Sequence, residues 1–188
     1  MLDHSPVRST LRSSCYVFDV YFHRHPHTSR KAMADIWTYV ISSRLLSPDD
    51  EQLVVKYNGD GKDLTLEPLI RDEHGFIPGN QRWKLNVAKD ITGTTTVVSV
   101  DEPTQQAVPN GDVVIAATPV RPQYWEISNS SPGLEGKRIE EAGVNDIHPK
   151  FWGVDDAISG KPITLKTRTD TSTQLWIVLK IGLLEEKE

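Results

Sequence analysis

From Met33 onward, short stretches of branched apolar residues and threonine recur between polar turns. The clearest are "LTLEPL" (Leu64–Leu69), "VVIAATPV" (Val113–Val120) and "ITLKTRT" (Ile163–Thr169). This composition suits a pleated, half-buried surface. Each stretch is followed, at a similar offset, by a Gln-x-Trp triplet: Gln81 to Trp83, Gln123 to Trp125, and Gln174 to Trp176. Turn signals separate the segments: "SPDD" at 47–50, "NGDG" at 58–61, "PNGD" at 109–112, "SSPG" at 130–133 and "SGKP" at 159–162. Helical periodicity is scarce; "EGKRIEEAG" (Glu135–Gly143) offers one or two turns. Many short strands at regular spacing predict an all-β barrel or sandwich.

The triplet has a physical reading. Residues i and i+2 of a strand share a face, so each glutamine points the same way as its tryptophan. Leu85 and Val87, then Ile127, then Val178 continue those faces. A large ring goes inward once per unit, and its N–H needs an acceptor there. The glutamine brings an amide for nearby backbone. Three such units about a pseudo-threefold axis would close a small barrel and leave no edge. The units divide as residues 36–88, 92–131 and 135–184.

Composition narrows the function classes. With 188 residues, the chain suits one domain plus a tail. No stretch approaches 18 consecutive apolar residues, so no membrane span is expected. A net charge of −5 argues against binding nucleic acid through its phosphates. The first 32 residues differ: five cations (Arg8, Arg12, Arg24, Arg30, Lys31) stand against Asp3 and Asp19, and the single cysteine, Cys15, is here. We expect residues 1–32 to be a disordered extension or a mis-assigned start, and residues 33–188 to be the domain. "HRHPH" (His23–His27) has no acid or thiol nearby and makes a poor metal site. Absence of a secretory signal and of cysteine after Met33 points to the cytoplasm. It also leaves the glycosylation pattern at Asn129–Ser131 without a role.

The three triplets resemble those of the β-trefoil, whose three four-stranded repeats often carry Gln-x-Trp. The first repeat also resembles the fungal β-trefoil serine-protease inhibitors, the cospin-like group from mushrooms. The residues that carry this are Tyr39-Val40-Ile41, Arg44, Ser47-Pro48, Glu51, Leu53, Gly59-Asp60-Gly61-Lys62, Leu64, Leu66, Pro68-Leu69, Gln81 and Trp83. The likeness fades in repeats two and three, and "IRDEHGFIPGN" (Ile70–Asn80) is a longer linker than the group has. The resemblance implies a fungal source, a defensive role, a trypsin-like serine protease as partner, and a rigid loop that presents Lys or Arg to an acidic pocket. Holding that loop in its bound shape lowers the ordering cost. Lys62 is the first candidate, then Arg168 and Arg138. Lys161 and Arg121 precede proline, which lacks the N–H of a substrate-like residue. Asn58 and Asn110 remain for targets other than trypsin.

Two further readings share the fold. A ricin-type lectin combines an acid, an aromatic platform and an Asn-Gln pair. Asn80-Gln81 fits in repeat one, and Trp152 with Asp155 offers a ring and an acid. A cysteine-protease inhibitor of the mycocypin kind is the third reading. No enzyme is expected and no cofactor is implied. The chain lacks a Gly-x-Ser-x-Gly elbow, and neither Lys62 nor Lys161 has the upstream glycine of a phosphate-binding loop. "NGDGKD" fails as an EF-hand because Lys62 stands where a ligand should be.

Overall fold

The computed structural model describes residues 37–89, 91–142, 149–169 and 171–183. All of them lie within the unit Ala34–Glu188. The leader at 1–32, with its histidine run, falls outside the described residues. Among the described residues there are twelve strands. They are β1 (Trp37–Leu46), β2 (Gln52–Lys56), β3 (Thr65–Pro68), β4 (Trp83–Val87), β5 (Thr94–Ser99) and β6 (Gln106–Asn110). Then come β7 (Val113–Ala117), β8 (Trp125–Asn129), β9 (Lys137–Glu141), β10 (Lys150–Gly153), β11 (Thr164–Thr167) and β12 (Trp176–Leu183). The only helical pieces among the described residues are two 3-10 turns, Gly79–Gln81 and Ser172–Gln174. No helix there is long and apolar enough to cross a membrane. The turn of helix expected at 135–143 is instead strand β9, held between β8 and β12.

Six strands close on themselves in the order β1-β4-β5-β8-β9-β12 and back to β1, all antiparallel. The other six form three hairpins, β2–β3, β6–β7 and β10–β11. Each repeat of four strands thus gives its outer pair to a barrel and its inner pair to a lid, which is the β-trefoil arrangement. Closure removes the exposed edges that open sheets must protect.

The lid is knitted by backbone. Leu64 N–H donates to Val114 O (2.8 Å), Val114 N–H to Ile163 O (2.9 Å), and Ile163 N–H to Leu64 O (2.8 Å). A second ring runs through the hairpin tips. Leu66 N–H donates to Lys161 O, Ala116 N–H to Lys62 O, and Leu165 N–H to Asp112 O, at 2.8–3.0 Å. Residues 62, 112 and 161 are therefore one position seen three times. The glycine before each, Gly61, Gly111 and Gly160, has φ of 67°, 63° and 82°. Only glycine takes that left-handed turn at little cost.

Leu64, Val114 and Ile163 are buried beneath the lid with Leu53, Val55, Leu66, Val97 and Ile139. Trp83, Trp125, Trp152 and Trp176 are fully buried with them. Trp152 meets Trp125 edge-to-face at 5.2 Å and Trp176 at 6.0 Å. Such pairs add about 0.5–1.5 kcal/mol beyond burial.

Candidate functional site

The triplet residues are structural. Trp83 Nε1 donates to Val55 O (3.0 Å), Trp125 Nε1 to Ala107 O (2.9 Å), and Trp176 Nε1 to Trp152 O (3.1 Å). Each indole on a fourth strand thus ties to the second strand of its own repeat. Gln81 donates to Pro68 O (2.8 Å) and accepts from Ile70 N–H (2.9 Å). Gln174 does the same to Thr167 O (2.7 Å) and Thr169 N–H (2.6 Å). These amides clamp the chain as it leaves β3 or β11. Gln123 makes no such clamp; its amide donates to Tyr124 O (3.1 Å).

The lysine and arginines expected to meet a protease sit poorly for that role. Lys62 is exposed, but its carbonyl accepts Ala116 N–H and its own N–H donates to Gly59 O. A substrate-like residue must offer its backbone to an enzyme, and this backbone is spent on the lid. Arg138 is 4% exposed, with Nη2 on Ser131 Oγ (3.3 Å), so it cannot enter another protein's pocket. Arg168 is exposed just past β11, where its charge draws on Glu140. Lys62 lies in repeat one and the two arginines in repeat three, on β9 and just past β11, so the three form no common surface loop.

The lectin set is also split. Trp152 is a core ring, fully covered, and cannot stack on a sugar. Asp155 is exposed after β10 and paired with Lys166. The hydrogen bond and charge of that lysine hold its carboxyl below the usual range. Asn80 lies in the 3-10 turn before β4, in another repeat, with its carbonyl on Tyr57 N–H (2.8 Å).

Around Asn80, however, a distinct surface forms. The segment after β3 turns back on Asp72, whose Oδ1 accepts His74 N–H (2.9 Å) and Phe76 N–H (2.7 Å). Asp72 N–H donates to Phe76 O, and Gly75 N–H to Asp72 O. Asp favours this closure because its short carboxylate reaches backbone two residues on. The tight loop holds Phe76 outward at 63% exposure. The guanidinium of Arg82 lies 5.7 Å from the Phe76 ring centre. Arg82 carbonyl accepts Val100 N–H (3.1 Å), which brings in the loop after β5. There Asp101 packs against Gly79 so closely that a Cβ would meet Asp101 Oδ1 at 2.9 Å. Burial chiefly, then Glu102, Asp60 and Asp101, raise the Tyr57 hydroxyl above its ordinary value. It stays a neutral donor at physiological pH. Asn80 Oδ1 and Arg82 Nε are buried with no hydrogen-bond partner among the described residues.

An exposed ring, a cation, an amide, a phenol and two carboxylates thus share one rim. Sequence reasoning found only Asn80 here. "IRDEHGF" passed as a long linker, yet Asp72, Gly75 and Phe76 in that order already spell a turn presenting an aromatic ring.

A family model described as CCL2 lectin-like matches residues 37–176. No curated protein matches the chain. Among solved structures, a mosquitocidal holotoxin aligns at TM-score 0.59 and 16% identity, over 80% of this chain. The alignment spans only 18% of the holotoxin chain. SeviL, solved bound to asialo-GM1 saccharide, aligns at 0.52 and 19% identity, over 77% of this chain and 98% of its own. The agglutinin of Rhizoctonia solani aligns at 0.55 and 13% identity, over 81% and 100%. At such identities these structures speak for the fold. The family match overturns the protease-inhibitor expectation and its serine-protease partner, as the tied backbone of Lys62 and the burial of Arg138 also argue.

Proposed function

Because the chain belongs to the CCL2 lectin-like family, we propose that it binds glycans without turning them over, and that the repeat-one rim is the binding surface. The observation that carries the site is Phe76, held outward by the Asp72 turn with Arg82 beside it. Sugars present a patch of C–H bonds that stacks on such a ring, and hydroxyls that seek fixed donors and acceptors. Asp101 and Glu102 accept, Tyr57 donates, and the unpartnered Asn80 Oδ1 and Arg82 Nε are groups that a ligand hydroxyl would satisfy. The turn is closed by its own hydrogen bonds, so little ordering cost falls on binding. Preference for a neutral or weakly polar glycan follows from the mixed charge of the rim.

A glycan array identifies the ligand, and titration calorimetry on the chain measures it. Phe76→Ala is expected to weaken binding about tenfold, equal to about 1.4 kcal/mol. Asp101→Asn is expected to weaken it less. A blank array removes the reading; an unchanged affinity in Phe76→Ala moves the site elsewhere.

A further inference from the structure

A second surface lies away from the rim, where the connection between β8 and β9 crosses the starts of β12 and the end of β1. It encloses a cleft of about 560 Å³, lined among others by Arg44, Ser130, Ser131, Leu134, Lys137 and Val178. This is larger than the hollow of about 370 Å³ beside Lys62.

Three observations define its chemistry. First, Arg44 is aimed by backbone: its Nε donates to Glu135 O (3.1 Å). Second, the only acid on Arg44 among the described residues is the carboxylate of Glu135, at a long 3.4 Å from Nη2, and that side chain is 88% exposed. A pair of this kind contributes little and exchanges readily. Third, the loop that carries the groups is pinned. Gly136, at φ 131°, lies so close to β12 that a Cβ would come within 3.3 Å of Leu175 and of Trp176 O. Ser130 N–H donates to Gly136 O (3.2 Å) and Leu134 N–H to Ser131 O (3.1 Å). Arg138, buried behind the loop, reaches Ser131 Oγ and orients that hydroxyl. Lys137 is steadied by Asn129 Oδ1.

We propose that this cleft binds the carboxylate of an acidic saccharide, with Glu135 as the internal carboxylate that it displaces. The proposal rests on the lectin reading and extends it to a second, charge-selective subsite. Arg44 presents a planar fork that matches a carboxylate. Lys137 adds a second cation at the same mouth. Ser130 and Ser131 serve ring hydroxyls, and Leu134 with Val178 supplies the apolar wall a sugar face needs. In a chain of net charge −5, a pocket with two cations and one exposed acid offsets the general repulsion of an anion.

The test uses trigalacturonate and its fully methyl-esterified form, which has the same rings without charge. Amide shifts of Gly133 and Gly136 and calorimetry are the readouts. Trigalacturonate is expected to shift both amides, and the ester to bind at least tenfold more weakly. Arg44→Gln should lose about tenfold for the acid and nothing for a neutral glycan on the rim. Glu135→Gln should gain severalfold, because it removes the competitor. Equal binding of acid and ester, or a loss in Glu135→Gln, overturns the proposal. Rim binding of a neutral glycan with no trigalacturonate binding overturns this subsite alone. A blank array with retained trigalacturonate binding removes the rim and leaves the cleft.

Discussion

The turns that lead into β4 and β12 are built alike, and the turn into β8 is not. In repeats one and three a 3-10 turn precedes the tryptophan, its glutamine is fully buried, and that amide clamps the departing third strand. In both, the second strand also hooks that turn: Tyr57 N–H donates to Asn80 O and Val154 N–H to Thr173 O. Repeat two has proline at both ends of the hook. Pro109 stands where Tyr57 and Val154 stand, and has no N–H to give. Pro122 stands where Asn80 and Thr173 stand, and it drives Arg121 out of the helical region. The turn cannot form, Gln123 is left half-buried, and Gln106 Oε1 accepts its backbone N–H instead (3.2 Å). Yet Trp125 is as buried as its two counterparts and keeps its bond to the second strand. The indole is what closing the barrel demands; the glutamine clamp is an addition that one repeat does without.

Breaking the shared part should cost most. Trp83→Ala, Trp125→Ala and Trp176→Ala each empty a filled core, and each is expected to lose about 3–5 kcal/mol in denaturant unfolding. A markedly cheaper Trp125→Ala would mean that repeat two is not equivalent even in its core. Breaking the unshared part should separate the repeats. Gln81→Ala and Gln174→Ala each leave a part-buried backbone donor and acceptor unpaired, so about 1–2 kcal/mol is expected from each. Gln123→Ala should stay within about 0.5 kcal/mol. Three equal losses would show that Gln123 is a clamp after all.

Smaller effects sharpen the picture. Gly61→Ala, Gly111→Ala and Gly160→Ala each force a left-handed turn on a side chain, for about 1 kcal/mol by thermal unfolding. The three should agree, because the hairpin tips are equivalent even though the fourth-strand turns are not. The smallest change concerns Glu140, on β9 opposite Glu126 of β8. Burial, then Glu126, raises its carboxyl above the ordinary value. The protonated form is the one favoured by folding. Its contribution is present below the ordinary carboxylate pKa and is lost as pH rises through the raised one. Glu140→Gln should therefore stabilise repeat three at neutral pH, by no more than about 0.5 kcal/mol, and not at pH 3.

Much of the frame could be read from residues alone. Branched apolar runs, glycine turns and a thrice-placed indole state a threefold barrel, because strand period and core volume are local demands. The asymmetry of repeat two was equally written there, in Pro109 and Pro122, but it shows only once the partners of Tyr57 and Val154 are known. The site was less legible. Trp152 offers a platform in the sequence because Asp155 and Asp156 follow it closely; burial depends on the β10 register, which sequence does not give. Lys62 looked like an exposed lure because a glycine turn precedes it; its carbonyl is claimed by a hairpin 54 residues away in the chain. Phe76 and Arg82 come together only through the Asp72 turn, and the Arg44–Glu135 pair spans two repeats.

The hydrogen-bonded circle through Leu64, Val114 and Ile163 has no first member. Each repeat gives to one neighbour and takes from the other, so a fragment of two repeats strands one giver and one taker in an apolar interior. Assembly of the lid is therefore all-or-nothing: shortening the protein by a third should leave no smaller folded unit, only a chain that waits for the missing piece.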